Sequence, residues 1–149
     1  MYINKSLFID FLKDREILWT GINFSLAKFT KNGFNFTQEI MQHYFHDWNM
    51  LILNDQKKYD IRMSFRKPIM QYDLSAVTKI NKNIRVNSIL TSRIDLKDTL
   101  TEEKIGNCLP ALSSDPSQKF ALMFFVESFD SMARVAAVWV VIYTTDTHE

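Results

Sequence analysis

The chain has 149 residues, a formal net charge of +1, 46% hydrophobic and 13% aromatic side chains, 3 Gly, 3 Pro and a single cysteine. Such apolar content excludes a disordered chain, and near-neutrality excludes a global field able to recruit nucleic acid or an anionic membrane, which leaves only local patches. Lone Cys108 excludes an intrachain disulfide, and no linker composition interrupts residues 1–149, so one globular domain is expected.

Leu7, Phe8, Phe11 and Leu12 recur at helical spacing behind Ser6, which predicts a short helix over Leu7–Lys13. Asp10 and the charged run Lys13–Glu16 break this stretch, arguing against a membrane span or signal peptide; a cytoplasmic chain, or one lacking its leader, is expected. From Ile17 to Phe29 the pattern moves to period two, a half-buried strand with Gly21 marking a bulge, followed by a turn at Lys31–Gly33.

The strongest helix signal covers Thr37–Leu53, where Ile40, Met41, Tyr44, Phe45, Trp48, Leu51 and Ile52 form one stripe. Asn35 or Thr37 caps it, with Gln38 completing a capping box. A second helix, Ile61–Arg66, starts at the cap Asp60 and stops before Pro68. Ile69–Ile80 fits a strand better than a helix, and Ile84–Val86 and Ile89–Leu90 are further β-like fragments. A third helix, Leu100–Leu109, is predicted from a Thr99/Glu102 capping box and ends at Pro110, before a polar loop that carries Pro116. Two apolar runs, Phe120–Val126 and Val135–Tyr143, then read as paired strands at the heart of the sheet with layers above and below. After them come Thr144–Glu149, polar residues of a turn whose natural sequel is another strand. The expectation is therefore a chain truncated at its C-terminal end, with the last strand an open edge.

Chemistry-bearing motifs are sparse. His43 and His46 have a spacing that metals use, with Asp47 nearby, but both lie off the apolar stripe and no third ligand is supplied. His148 stands in the tail. Lys58, Arg62 and Arg66 are four apart and, with Lys67, would form a basic ridge on a helix that suits an anion or an acidic partner. Its plainer reading is a solvated helix face. Glu127 and Asp130 near the end of a central strand offer paired carboxylates, with a solvated hairpin connection as the plainer reading. No Gly-rich phosphate loop, nucleophile elbow or zincin motif occurs, no cofactor is implied, and Cys108 reads as a small core residue.

Phe45-His46-Asp47-Trp48-Asn49 leading to Lys58-Tyr59-Asp60-Ile61, then Tyr72-Asp73-Leu74-Ser75, and Phe125-Val126-Glu127-Ser128-Phe129 with Ala137-Val138-Trp139-Val140-Val141 resemble a family of uncharacterised gut Bacteroidales proteins. The resemblance spans roughly residues 21–143. It implies a cell-envelope protein made with a leader and with further sequence after the last strand, and it assigns no functional residue.

The expected fold is α/β, a mixed sheet of four or more strands with two to three helices packed on it; the alternative is a mainly antiparallel α+β two-layer sandwich. The leading functional expectation is a non-enzymatic binding or assembly module of the bacterial cell envelope, self-associating through a sheet edge or holding a protein partner or anionic ligand. The alternative is a small-ligand binder or enzyme using Glu127, Asp130 and the basic ridge, with a nucleic-acid-binding module third and disfavoured by sparse aromatic interleaving.

Overall fold

The structure, a computed structural model, describes residues 4–95, 99–109 and 117–147. Its elements in chain order are α1 (Lys5–Lys13), β1 (Glu16–Asn23), β2 (Lys28–Thr30), α2 (Gln38–Asn54), α3 (Ile61–Ser64), β3 (Ile69–Tyr72), α4 (Ser75–Lys82), α5 (Val86–Ile89), β4 (Leu90–Thr91), α6 (Glu102–Gly106), β5 (Phe120–Asp130) and β6 (Val135–Thr144). The fold is α/β, with one six-stranded sheet. Neighbouring strands are parallel except β6, which runs antiparallel to β5. This sets aside the mainly antiparallel sandwich, and the six helices among the described residues exceed the expected two to three.

β5 is the spine. Along one side it pairs first with β1, Leu18 to Asn23 against Ala121 to Phe125, and then with β2, Lys28 against Ser128. Ile17–Phe29 is thus an interrupted strand: between Asn23 and Lys28 the chain leaves the ladder and rejoins it. The outer neighbours are interrupted in the same way, since β3 pairs β1 only as far as Tyr72 and β4 meets β2 from Leu90. Between β3 and β4 the outer backbone groups of Ile22 and Phe24 therefore face no strand.

Two buried asparagines fill that gap. Asn49 of α2 accepts from the Ile22 N–H (2.7 Å) and donates to the Ile22 carbonyl (3.1 Å). Asn81 of α4 donates to the same carbonyl (2.8 Å) and accepts from the Phe24 N–H (3.0 Å). A primary amide offers one donor edge and one acceptor edge, as a peptide group does, so the pair replaces a missing strand. Gly21 makes the approach feasible: its φ is +100°, and a Cβ there would lie 2.6 Å from Asn49 Oδ1 and 2.7 Å from Val77 Cγ1. The bulge expected at Gly21 is present as a register shift between Trp19 and Ile22.

Alternation along β5 divides the core. Ala121, Met123 and Phe125 face α4 and α6, together with Leu18, Val77, Ile105 and Tyr143. Phe120 and Leu122 face the other way, against Phe11 of α1, Ile61 of α3 and Trp19. Val126 continues that second face under Met41 and Phe45 of α2, where Phe24 stacks on Phe45 with centroids 4.0 Å apart. Both faces of β5 are covered, which explains why its sequence is apolar nearly throughout.

Local differences from the sequence reading have physical causes. α1 begins two residues early because Asn4, not Ser6, caps it by accepting from the Leu7 N–H. Thr37 caps α2, but Gln38 completes no capping box: its amide reaches across to the Ile84 carbonyl and the Val86 N–H. The buried stripe of α2 is Met41, Phe45 and Asn49, while Ile40, Tyr44 and Leu51 are exposed. In Ile69–Ile80 only the first four residues are strand; Asp73 then accepts from the Ser75 N–H, and Leu74, Val77 and Asn81 recur at helical spacing in α4. α5 likewise takes part of the supposed β-fragment Ile84–Val86. Thr101, not Thr99, caps the shorter α6. The stop at Pro110, the loop carrying Pro116 and His148 lie outside the described residues.

Replacing Asn49 by Leu keeps the volume but leaves the Ile22 N–H without its acceptor. Asn49→Leu should therefore lower the unfolding free energy by about 1–3 kcal/mol, the cost of an orphaned buried donor. An unchanged urea midpoint with an unchanged slope would show that the amide does not close the gap.

Candidate functional site

The basic ridge is not a continuous helix face. α3 ends at Ser64, and its C-terminus closes with Lys67 N–H donating to the Arg62 carbonyl (2.8 Å) and Arg66 N–H to the Met63 carbonyl (3.1 Å). This paired closure requires a left-handed residue, and Arg66 supplies it with φ 54°. The turn sends Lys67 inward. Only 2% exposed, it donates to the carbonyls of Phe11 and Asp14 (2.6 Å to Asp14) and lies over the Phe11 ring. Lys67 is thus the cap of the C-terminal end of α1, where the helix dipole favours a cation; desolvation lowers its pKa and Asp14 partly opposes that. Lys58, Arg62 and Arg66 remain exposed, with Arg62 3.9 Å from Asp60.

Glu127 and Asp130 stand at the far end of β5. Lys67 holds α1, whose Phe11 packs edge-on against Phe120, the first residue of β5. The seven residue steps from Phe120 to Glu127 span about 23 Å at strand rise. The carboxylates and the basic residues are therefore not brought together. Each carboxylate already has structural work: Glu127 accepts from the Trp139 indole N–H (2.5 Å), and Asp130 accepts from the N–H groups of Met132 (2.9 Å) and Ala133 (3.1 Å) in the hairpin turn. Ser131 in that turn pairs with Thr30 at 2.8 Å and sits where a Cβ on Gly33 would be, 2.2 Å away.

His43 and His46 border a cleft of about 330 Å³ between α2 and α4, with Asn49 and Asn81 at its base. The asparagine amides are occupied by the β1 backbone, and His43 pairs with Asp47 at 3.1 Å on an exposed surface. Among the described residues no three His, Cys, Asp or Glu side chains cluster as a metal would require. Cys108 is half-buried; burial pushes its thiol up, opposed by a hydrogen bond from Ser25, which does not suit a nucleophile.

The feature with the clearest capacity for interaction is β6. Among the described residues it pairs only with β5, leaving its other edge open. Val135–Thr144 contains no charged residue and no proline. One face is covered, with Trp139, Val141 and Tyr143 packed into the α4/α6 core. On the opposite face Val138 lies beside Val126 and Val140 beside Phe124, yet Val138 is 46% and Val140 53% exposed. The helix layer stops short of β6 there. The flank of α2 turned away from α4 is also apolar and exposed at Tyr44 and Leu51. By contrast the opposite edges of the sheet are short: β3 has 4 residues behind Pro68, and β4 has 2. The sequence reading expected an open edge here from the polar turn after the strand; the uncharged run and the bare face were not part of it.

Comparison with protein-family models, with curated proteins and with solved structures finds no match to this chain. Among the described residues no helix is long and apolar enough to cross a membrane.

Two expectations follow from the buried polar groups. Lys67→Met keeps the aliphatic stem but leaves two carbonyls unpaired, and should cost about 1–3 kcal/mol, whereas alanine at exposed Lys58 or Arg62 should change stability by less than about 0.5 kcal/mol. Equal denaturation midpoints for all three variants would overturn this division. The second concerns Tyr143, whose pKa is raised above 10.0 by burial, lowered in part by the hydrogen bond with Thr20 and raised by the charge of Asp73. The Thr20 hydroxyl donates to the Leu122 carbonyl and lies 3.2 Å from the Tyr143 hydroxyl. The unfolded tyrosine ionises first as pH rises past 10.0, so the native state then holds more protons and stability falls. Tyr143→Phe should remove that part of the alkaline loss. Parallel stability curves for wild type and variant above pH 10 would contradict it.

Proposed function

We propose that the protein is a non-enzymatic binding and assembly module that takes up an extended segment of a partner along β6. One observation carries the reading: a ten-residue edge strand, uncharged throughout, with one apolar face left uncovered at Val138 and Val140. Edges of this kind template further strands, because each outward N–H and C=O seeks a partner; folded proteins usually blunt them with charge, proline or short length. Here those defences protect the β3 and β4 side and are missing from β6. Backbone pairing would supply affinity, and the bare row at Val138 and Val140 would read alternate side chains of the incoming segment.

A site built from Glu127, Asp130 and the basic residues has weaker support, since they stand at opposite ends of β5 and the carboxylates are engaged by Trp139 and the hairpin backbone. Nucleic-acid binding through the basic segment is weakened by the burial of Lys67. The resemblance to Bacteroidales envelope proteins favours the cell envelope as the setting, and that location belongs to the proposal.

An NMR titration with a soluble decapeptide alternating Val and Thr tests the edge. Amide shifts should concentrate in Val135–Thr144 and disappear in Val140→Lys. Shifts centred on the α2/α4 cleft, or none at millimolar peptide, would sink the reading.

A further inference from the structure

Resting on that reading, we infer that the segment taken up by β6 is β6 of a second copy, paired antiparallel about a two-fold axis at Val140. The charges at the two ends of the strand carry the argument. Arg134 immediately precedes β6, and Asp146 lies just beyond it, with Val135–Thr144 uncharged between them. Both are exposed, and neither makes an ion pair with another described residue. In an antiparallel pair centred on Val140, each residue faces the one equally far on the other side of the centre. Arg134, in the turn that leads into β6 with φ 55°, is then brought to the same end of the pair as Asp146 of the other copy, in the turn that follows β6, and the reciprocal pair forms at the other end. A parallel arrangement would set Arg134 against Arg134 and Asp146 against Asp146, like charges that oppose it.

The apolar pattern fits the same register. Because side chains alternate in β strands, residues an even number apart share a face. The pairing sets Val140 against its own counterpart and Val138 against Ile142 of the other copy, so the exposed Val138 and Val140 meet a half-buried Ile142 on the same face. Trp139 meets Val141 on the opposite face, so the core-facing row continues unbroken. β-branched cross-strand pairs of this kind are the favourable unit of sheet stabilisation. A two-fold arrangement also closes, since among the described residues each copy has one such edge and the pairing uses both, giving a dimer and not a fibre.

The test is sedimentation of the full 149-residue chain across a wide concentration series, at low and at high salt. Wild type should pass from monomer to dimer, more weakly as salt screens the end charges. Val140→Lys places two ammonium groups opposite each other and should raise the dissociation constant at least about tenfold, with an unchanged circular dichroism spectrum because position 140 is exposed. Should that variant fail to fold, Arg134→Glu and Asp146→Lys serve: each alone should weaken the dimer, and the double exchange should restore it. A strict monomer at all concentrations overturns the inference, as does a dimer indifferent to all these substitutions. If the chain stays monomeric while the decapeptide still shifts the β6 amides, self-pairing fails and the edge reading stands; if both are silent, both fail.

Discussion

The fold depends on how the chain closes the break between β3 and β4. An outer strand that stops and a second that starts further along leave backbone groups of Ile22 and Phe24 inside the protein with no ladder to join. Buried peptide groups without partners are costly, so the break is tolerable only because α2 and α4 each deliver an asparagine to it. That requirement constrains both helices at once. α2 must place Asn49 within hydrogen-bond reach of β1, α4 must place Asn81 beside it, and Gly21 must lack a side chain for Asn49 and Val77 of α4 to approach. Asn49 also donates to the Phe45 carbonyl within its own helix, which fixes the amide orientation.

From that join the layers follow. With α2 held over β1 on one face and α4 drawn to the β1 edge from the other, β5 is enclosed on both sides. The helices are thereby committed to the β1 side of the sheet. Nothing comparable pulls a helix across to β6, whose amides on one side are satisfied by β5 and whose one face is packed by Trp139, Val141 and Tyr143. The bare face at Val138 and Val140 is the structural consequence of anchoring the helix layer at the opposite edge.

Elements with a single strong period were legible in the sequence. α2, β5 and β6 declare themselves because their apolar content is high and their neighbours are polar. What escaped were places where a polar residue does a backbone's work. Asn49 sits where a continuous apolar stripe would demand a hydrophobic residue, so the stripe was drawn through Ile40, Tyr44 and Leu51, which are exposed. Ile69–Ile80 mixes a four-residue strand with a helix whose start depends on Asp73 capping Ser75, and composition averaged over both favours the strand. The basic ridge assumed that α3 continued, whereas Arg66 adopts a left-handed conformation more usual for glycine and turns Lys67 into the core. Spacing shows where charges would meet on a helix, but not where the helix ends.

The same accounting bears on function. Several polar side chains, the candidates Lys67, Glu127 and Asp130 among them, are engaged in holding the fold: Asn49 and Asn81 at the strand break, Lys67 on the end of α1, Glu127 on Trp139, Asp130 in the hairpin turn and Thr20 between β5 and Tyr143. A general acid or base must be free to exchange a proton with a substrate, and groups fixed in this way are poorly placed for it. In the function proposed above, recognition rests instead on the main chain of β6, beside which Val138 and Val140 are exposed. Recognition there needs no special residue type, only an extended partner and a matching register. On that proposal a chain with so few chemical motifs would still carry a specific surface, its specificity resting on the charges that flank the strand.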